Sequence, residues 1–257
     1  MSTQPAPGPQ LSQQSNAAAI KAVPFGDSAL MVSVFSDDSG ERQEGSRKLR
    51  ELLLDVRPQG LLDVVAGVDS VLVEFDNLAV SHGQLAQTIR LAVAGGFGDN
   101  DGAHAGMHFV IPMVVNQTFA PDLADVAAEL GISPEAVLGH VEDSVLNINL
   151  LASAMAPMMG RVQFPGQVSR CKEPRTNVDP GSVMVAGNNA IIQPFPGPTG
   201  WKVIGRTPLV ICDIRENPPT SYSPGDTVRF KVVPESEWER LEGRFLRTDS
   251  YTIEGAH

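Results

Sequence analysis

Arg175 and Arg206 each stand within two residues of a proline, Pro174 and Pro208, in a stretch otherwise poor in basic residues. A guanidinium offers a rigid fork of donors that matches a planar carboxylate, a ureido carbonyl or a phosphate. The same fork also pairs with a nearby acid or caps barrel carbonyls, and the sequence leaves both roles open. Lys202 alternates with Trp201 and Val203 in a strand-like run and so faces opposite to both, either toward solvent or toward an anionic ligand. His140 closes a helical pattern just ahead of Glu142 and Asp143. It reads as an ordinary helix-end residue or as an acid/base or hydrogen-bonding group at the mouth of a barrel. Asn188 and Asn189 follow Gly187 and suit a ligand's amide contacts or a plain turn equally well. Met155, Met158 and Met159 around Pro157 suit packing or a soft interface.

No local motif carries a self-sufficient chemistry. Gly-x-Ser-x-Gly, a P-loop, His-Glu-x-x-His and paired Cys-x-x-Cys are all absent from the sequence. No metal site is expected, and "GFGDN" reads as linker.

The chain has 257 residues, enough for two modest cores, with 42% hydrophobic and 19% charged residues. Its 19 basic against 30 acidic residues give a formal charge of −11, which disfavours nucleic acid as a main partner. Cys171 and Cys212 form no bridge or metal spacing, which suggests a reducing compartment. The opening "MSTQPAPGPQLSQQSN" has neither a basic flank nor an apolar stretch. No run reaches the roughly 18 apolar residues of a membrane span, so a cytoplasmic, membrane-free protein is expected.

These residues must be positioned by two units. Residues 1–18, rich in Pro, Gln and Ser, read as a disordered tail. Residues 19–95 read as a small α+β domain: a strand over 29–35 after a Gly26-Asp27 turn, a helix from Ser46 to Pro58, two strands around Gly67-Val68-Asp69, and a helix turning Leu85, Ile89 and Ala92 inward. Residues 96–107 are Gly/Asp-rich and read as linker. Residues 108–245 open with the strand "HFVIPMVV" and two short helices, the first ended by Gly131 and the second capped by Ser133. Short β runs between Pro/Gly turns then predict a barrel with a helical flap. Residues 246–257 read as a C-terminal tail. The helix pair joined by "GIS" superficially suggests a helix-turn-helix, but Asp122, Asp125, Glu129 and Glu135 would meet phosphates.

The segments "GDSAL", "PDLADVAAELGISPEAVLGH", "EPRTNVDPGSVMVAG" and "GPTGWKVIGRTPL", with "YSPGDTVRF" after them, resemble in order and spacing the allophanate hydrolase subunit 1 family. That family includes the B subunit of ATP-dependent 5-oxoprolinase, the front half of the carboxyltransferase domain of biotin-dependent urea carboxylase, and an inhibitor of a sporulation kinase. The resemblance implies an α+β protein whose second domain is a cyclophilin-like β-barrel. It implies a second barrel subunit of the same family as partner, a possible third catalytic subunit, and a site made between subunits. The expected activity is ATP-dependent opening of a small lactam such as 5-oxoproline, with ATP and Mg bound by the complex. The alternatives are carboxyl transfer to urea from biotin on a carrier domain, or a non-catalytic regulatory role.

By resemblance His140, Arg175 and Arg206 are catalytic, while Arg170, Asn188, Asn189, Gln193 and Lys202 contact substrate. Met155, Met158 and Met159 are then expected on an exposed interface. The sequence departs from the family at "ASAMAPMMG" over 152–160, where an aromatic Gly-Phe-x-Pro-Gly-Phe-x-Tyr-Leu loop is usual. It departs again at "VNQTF", in place of a Tyr-Gly pair, and at Gln193, in place of a Tyr.

Overall fold

The computed structural model describes residues 19–95 and 106–251. The expected tail over 1–18, most of the expected linker and residues 252–257 lie outside the described residues. The chain divides into two compact units, Met1–Asp99 and Asn100–His257.

The first unit is a four-stranded antiparallel sheet of order β1-β2-β4-β3. Its strands are β1 (Ala19–Pro24), β2 (Ala29–Phe35), β3 (Leu61–Ala66) and β4 (Ser70–Phe75). Two helices, α1 (Ser39–Val56) and α2 (His82–Ala94), complete it. Alternation sends Leu30, Val32 and Val34 of β2 and Val71, Val73 and Phe75 of β4 to one face, where they pack with Leu49 and Leu53 of α1 and Leu85 and Ile89 of α2. The expected strand over 29–35 leaves the turn at Gly26 (φ +67°) as β2, and the turn also joins it to β1, which the sequence reading did not include. Helix α1 begins seven residues before the expected Ser46: the Asp38 side chain accepts from the Glu41 N–H and caps it. In α2 the third inward position is Val93, because Ala92 is only half-buried.

The second unit opens with β5 (His108–Val114), α3 (Leu123–Leu130) and α4 (Pro134–Asp143). Gly131 ends α3 in the left-handed region at φ +68°, which costs a residue without Cβ little. The Ser133 side chain accepts from the Ala136 N–H and starts α4. Next come β6 (Leu146–Leu151), a 3-10 turn at Ser153–Met155, β7 (Pro157–Gly160) and β8 (Arg175–Val178). The remaining elements are β9 (Ser182–Ala186), β10 (Asn189–Ile192), β11 (Gly197–Thr199), β12 (Lys202–Arg206), β13 (Thr227–Val233) and α5 (Glu237–Leu241).

Seven strands close a barrel in the order β10-β7-β6-β13-β5-β12-β9, and β8 and β11 form a separate ribbon. Phe109, Ile111, Leu146, Ile148, Val183, Ile204 and Phe230 fill the interior, and α3 joins the same core through Leu123, Val126 and Ala127. Ordered structure runs past residue 245, where a tail was expected. Leu246 is buried in the core and its N–H donates to Val210 O at 2.9 Å.

The expectation of an exposed methionine surface is corrected in part. Met159 faces the barrel core on β7 and is fully buried, and Pro157 and Phe164 are buried too, whereas Met155 and Met158 are half-buried. Met158 and Met159 alternate because β7 pairs with β6 and β10 as an ordinary barrel strand.

Candidate functional site

Asp122, Asp125 and Glu129 occupy positions i, i+3 and i+7 at the start and along α3, so they share one stripe of the helix. That stripe borders a cleft of about 750 Å³ whose other wall is the loop from Ser169 to Glu173 with Arg175 and Lys202. Asp122 accepts both Arg175 terminal nitrogens, Nη1 at 2.7 Å and Nη2 at 2.6 Å. It also accepts the Val203 N–H at 2.8 Å, and its own N–H donates to Val203 O at 3.1 Å. Helix α3 is thereby pinned to β12 and β8 together.

Lys202 lies at the other end of the stripe with its side chain only 7% exposed. Its Nζ meets Asp125 Oδ2 at 2.6 Å and Glu129 Oε2 at 2.7 Å. Burial alone would lower the Lys202 ammonium, but hydrogen bonds to the two carboxylates and their charges outweigh it and hold it above its ordinary value. The Lys202 hydrogen bond in turn holds the Glu129 carboxyl below the usual range, and Glu129 also accepts the Ser169 N–H at 2.7 Å.

The loop is tied back through Cys171. Its N–H donates to Gly200 O at 2.8 Å, its thiol donates to Trp201 O at 3.5 Å, and Arg175 Nη1 donates to its sulfur at 3.6 Å. The exposed Arg170 places its guanidinium 5.7 Å from the centre of the Trp201 ring.

The structure therefore gathers Arg170, Arg175 and Lys202 and leaves the other expected site residues elsewhere. Arg175, expected to grip a substrate, grips this chain's own Asp122, and Lys202 is held by acids of α3. Arg206 donates from Nε to Pro180 O at 2.9 Å and from Nη1 to Asp179 Oδ2 at 3.1 Å, beside a different cavity. His140 does not line the cleft; its ring meets Phe164 edge-on at 6.4 Å, and its carbonyl accepts from Ser144 Oγ at 2.6 Å. Asn188 is exposed at the β9–β10 turn, its amide donating to Gly166 O at 2.9 Å when Nδ2 faces the main chain. Asn189 pairs with Gly160 and Ala186 in the barrel, and Gln193 Nε2 donates to Phe195 O at 2.8 Å.

Chemically the cleft is a charge-balanced wall. Arg170, Lys172, Arg175 and Lys202 stand against Asp122, Asp125, Glu129 and Glu173. A triphosphate needs a surplus of donors and positive charge, which this set does not offer, so ATP enters no step derived from these residues. Among the described residues no group of three or more His, Cys, Asp and Glu is placed to hold a metal ion. No helix among them is long and apolar enough to cross a membrane.

A small α+β unit followed by a closed seven-stranded barrel with a two-helix flap defines the class of protein. The family described as carboxyltransferase domain, subdomain C and D, matches residues 20–222, and the chain belongs to it. This agrees with the resemblance to the allophanate hydrolase subunit 1 family and with the cyclophilin-like barrel it implied.

The chain is 29% identical over 212 residues to the B subunit of 5-oxoprolinase from Haemophilus influenzae, covering 82% of this chain and 96% of that protein. It is 33% identical over 129 residues to the Bacillus subtilis protein of the same name, covering 50% of this chain and only 54% of that relative. The solved structure of TTHA0988 aligns with TM-score 0.67 and 26% identity over 86% of this chain and 41% of that one. Kluyveromyces lactis urea carboxylase shares the fold, with TM-score 0.70 and 17% identity over 92% of this chain and 24% of that one.

Proposed function

We propose that the chain is one subunit of a hetero-oligomeric, ATP-dependent amidohydrolase that opens a small lactam such as 5-oxoproline. The observation that carries this reading is the match to the 5-oxoprolinase B subunit of Haemophilus influenzae over 96% of that protein and 82% of this chain. The cleft supports it from the other direction. Its cations Arg175 and Lys202 are neutralised by acids of α3, which leaves the cleft no surplus positive charge with which to hold ATP by itself. A second cyclophilin-like barrel subunit of the same family completes the site, with ATP and Mg held by the complex and a third subunit completing hydrolysis.

A second reading, carboxyl transfer involving a biotin carrier, is favoured by the description of the family itself. The two are separated by purifying the chain with its barrel partner and measuring ATP consumption with 5-oxoproline beside biotin-dependent carboxylation of urea. Turnover in the first assay alone is expected. Turnover in the second alone overturns the lactam reading, and turnover in neither favours a regulatory subunit. In the active complex, Arg206→Ala and His140→Ala test the catalytic assignment of these residues. A group that touches substrate costs more than about tenfold in turnover, about 1.4 kcal/mol per decade.

A further inference from the structure

Trp238 and Phe119 form a tilted aromatic pair, both half-buried, with ring centres 4.6 Å apart. The Arg206 guanidinium carbon lies 5.1 Å from the Trp238 ring centre and 5.3 Å from that of Phe119, while its Nη1 is paired with Asp179 and its Nε with Pro180 O. That cation is already held within the chain. The indole N–H of Trp238, by contrast, has no partner among the described residues.

Trp238 lines a cavity of about 200 Å³ whose wall includes Pro180, Pro194 and Pro208. Three prolines of fixed φ make that part of the wall rigid. The rest is mixed, with Leu209 and Ile211 beside Arg206, Thr207 and Glu242. Because Arg206 is paired with Asp179, the exposed Glu242 is the one charged group of the lining without an ion pair among the described residues. Glu235 and Glu239 are exposed on the same short segment as Trp238, so the surroundings are acidic. Trp238 and Glu242 also lie beyond residues 20–222, the part of the chain that the family description covers.

Charge and size together restrict the ligand. An anion is repelled by Glu242, and a free cation would meet aromatic rings that Arg206 already faces. At ~30 Å³ per water the cavity holds about six or seven waters, the bulk of one small ring. An uncharged ring whose chain carries a positive charge further along satisfies all of these conditions. A polyproline II segment has that form: its rings stand out from a backbone without internal hydrogen bonds, and its carbonyls are free to accept from an indole N–H. We propose that this cavity is a docking site for a proline-rich segment of a partner protein, one prolyl ring seated against Trp238 and a neighbouring basic residue facing Glu242. The site is separate from the α3 cleft and does not depend on which reaction the assembled complex performs.

Trp238 supplies the readout. The sequence holds two tryptophans, so Trp201→Phe leaves Trp238 as the only one. The full chain carrying Trp201→Phe is titrated with a blocked peptide of four prolines followed by arginine while indole fluorescence is followed. Two control peptides replace the prolines by alanines or the arginine by glutamate. The expected result is a saturable change with the proline-arginine peptide, with Kd on the order of 0.1 mM, and binding of the alanine peptide weaker by about tenfold or more. The glutamate peptide should bind about threefold or more weakly, the effect of one exposed charge contact. Glu242→Gln, a change at an exposed position, should remove the preference for arginine over glutamate and keep the preference for proline over alanine. No saturation, equal affinity for the proline and alanine peptides, or an arginine preference that survives Glu242→Gln each overturn the proposal. If Trp201→Phe does not fold, the same titrations on the unaltered chain by calorimetry decide.

Discussion

Asp122 and Arg175, 53 residues apart, form a two-bonded ion pair in which the Asp122 carboxylate also accepts the main-chain N–H of Val203. One carboxylate thus joins the start of α3 to two strands. Its side chain is 12% exposed and that of Arg175 is 35% exposed, so the pair lies between the buried and the solvent-screened regimes. Asp122→Ala strips both bonds from Arg175 and orphans the Val203 N–H, and should lower stability by about 2–3 kcal/mol in urea unfolding. Arg175→Ala should cost less, about 1–2 kcal/mol, because Asp122 keeps Val203 and gains water. Arg175→Lys should recover little of it, since an ammonium cannot reproduce the two-bonded geometry.

The Lys202 cluster sets a pH dependence with a definite sign. Glu129 titrates below its ordinary 4.5 because Lys202 hydrogen-bonds its charged form. The stabilisation is therefore fully present above 4.5 and is lost as pH falls through the lowered native value. Lys202 titrates above its ordinary 10.5, so its part is present below 10.5 and is lost as pH rises through the raised value. The contribution of this cluster should be constant between 4.5 and 10.5 and fall on both sides. Lys202→Met should weaken both limbs, and a variant with an unchanged acid limb would refute the coupling.

Ala154 sits in the 3-10 turn at φ +56° and Met155 follows at φ +63°, a left-handed pair without glycine. Such a conformation costs a residue with Cβ about 1 kcal/mol. Ala154 is exposed, so Ala154→Gly removes no packing and should raise the urea midpoint, with a net gain of about 0.5–1 kcal/mol.

Met158 and Met159 should respond oppositely to the same change. Met159 is fully buried, and an aspartate there would place an unpaired charge in the barrel core, so Met159→Asp should not fold. Met158 is half-buried on the outward side of β7. Met158→Asp should retain the native circular dichroism spectrum while losing co-purification with a barrel partner. Normal assembly of this variant would move the interface away from β7.

The elements that sequence made legible were those with a local signal. The Gly131 stop and the Ser133 cap delimit α3 and α4, and alternation around Gly67-Val68-Asp69 delimits β3 and β4. The first turns of α1 escaped because residues 39–48 are almost wholly polar, and only the Asp38 cap marks the start. Strand β7 escaped because a four-residue run has no period of its own and becomes a strand through its neighbours.

The site was half legible. Its cations stand out by type, but their partners Asp122, Asp125 and Glu129 lie 53 to 77 residues away in sequence and served only as an argument against binding DNA. Their spacing of three and four along one helix was the available signal.

The barrel is sealed by β13 lying parallel to β5 over seven paired residues, from Thr227 opposite His108 to Val233 opposite Val114. These partners are 119 residues apart, as the bond between His108 Nδ1 and Thr227 Oγ1 marks. A ribosome therefore finishes almost the whole second unit before the seam can close. Until then β5 waits with one edge unpaired, a template for misplaced strands. Translation pauses or truncations before Val233 fall in the period when this chain is most exposed to aggregation.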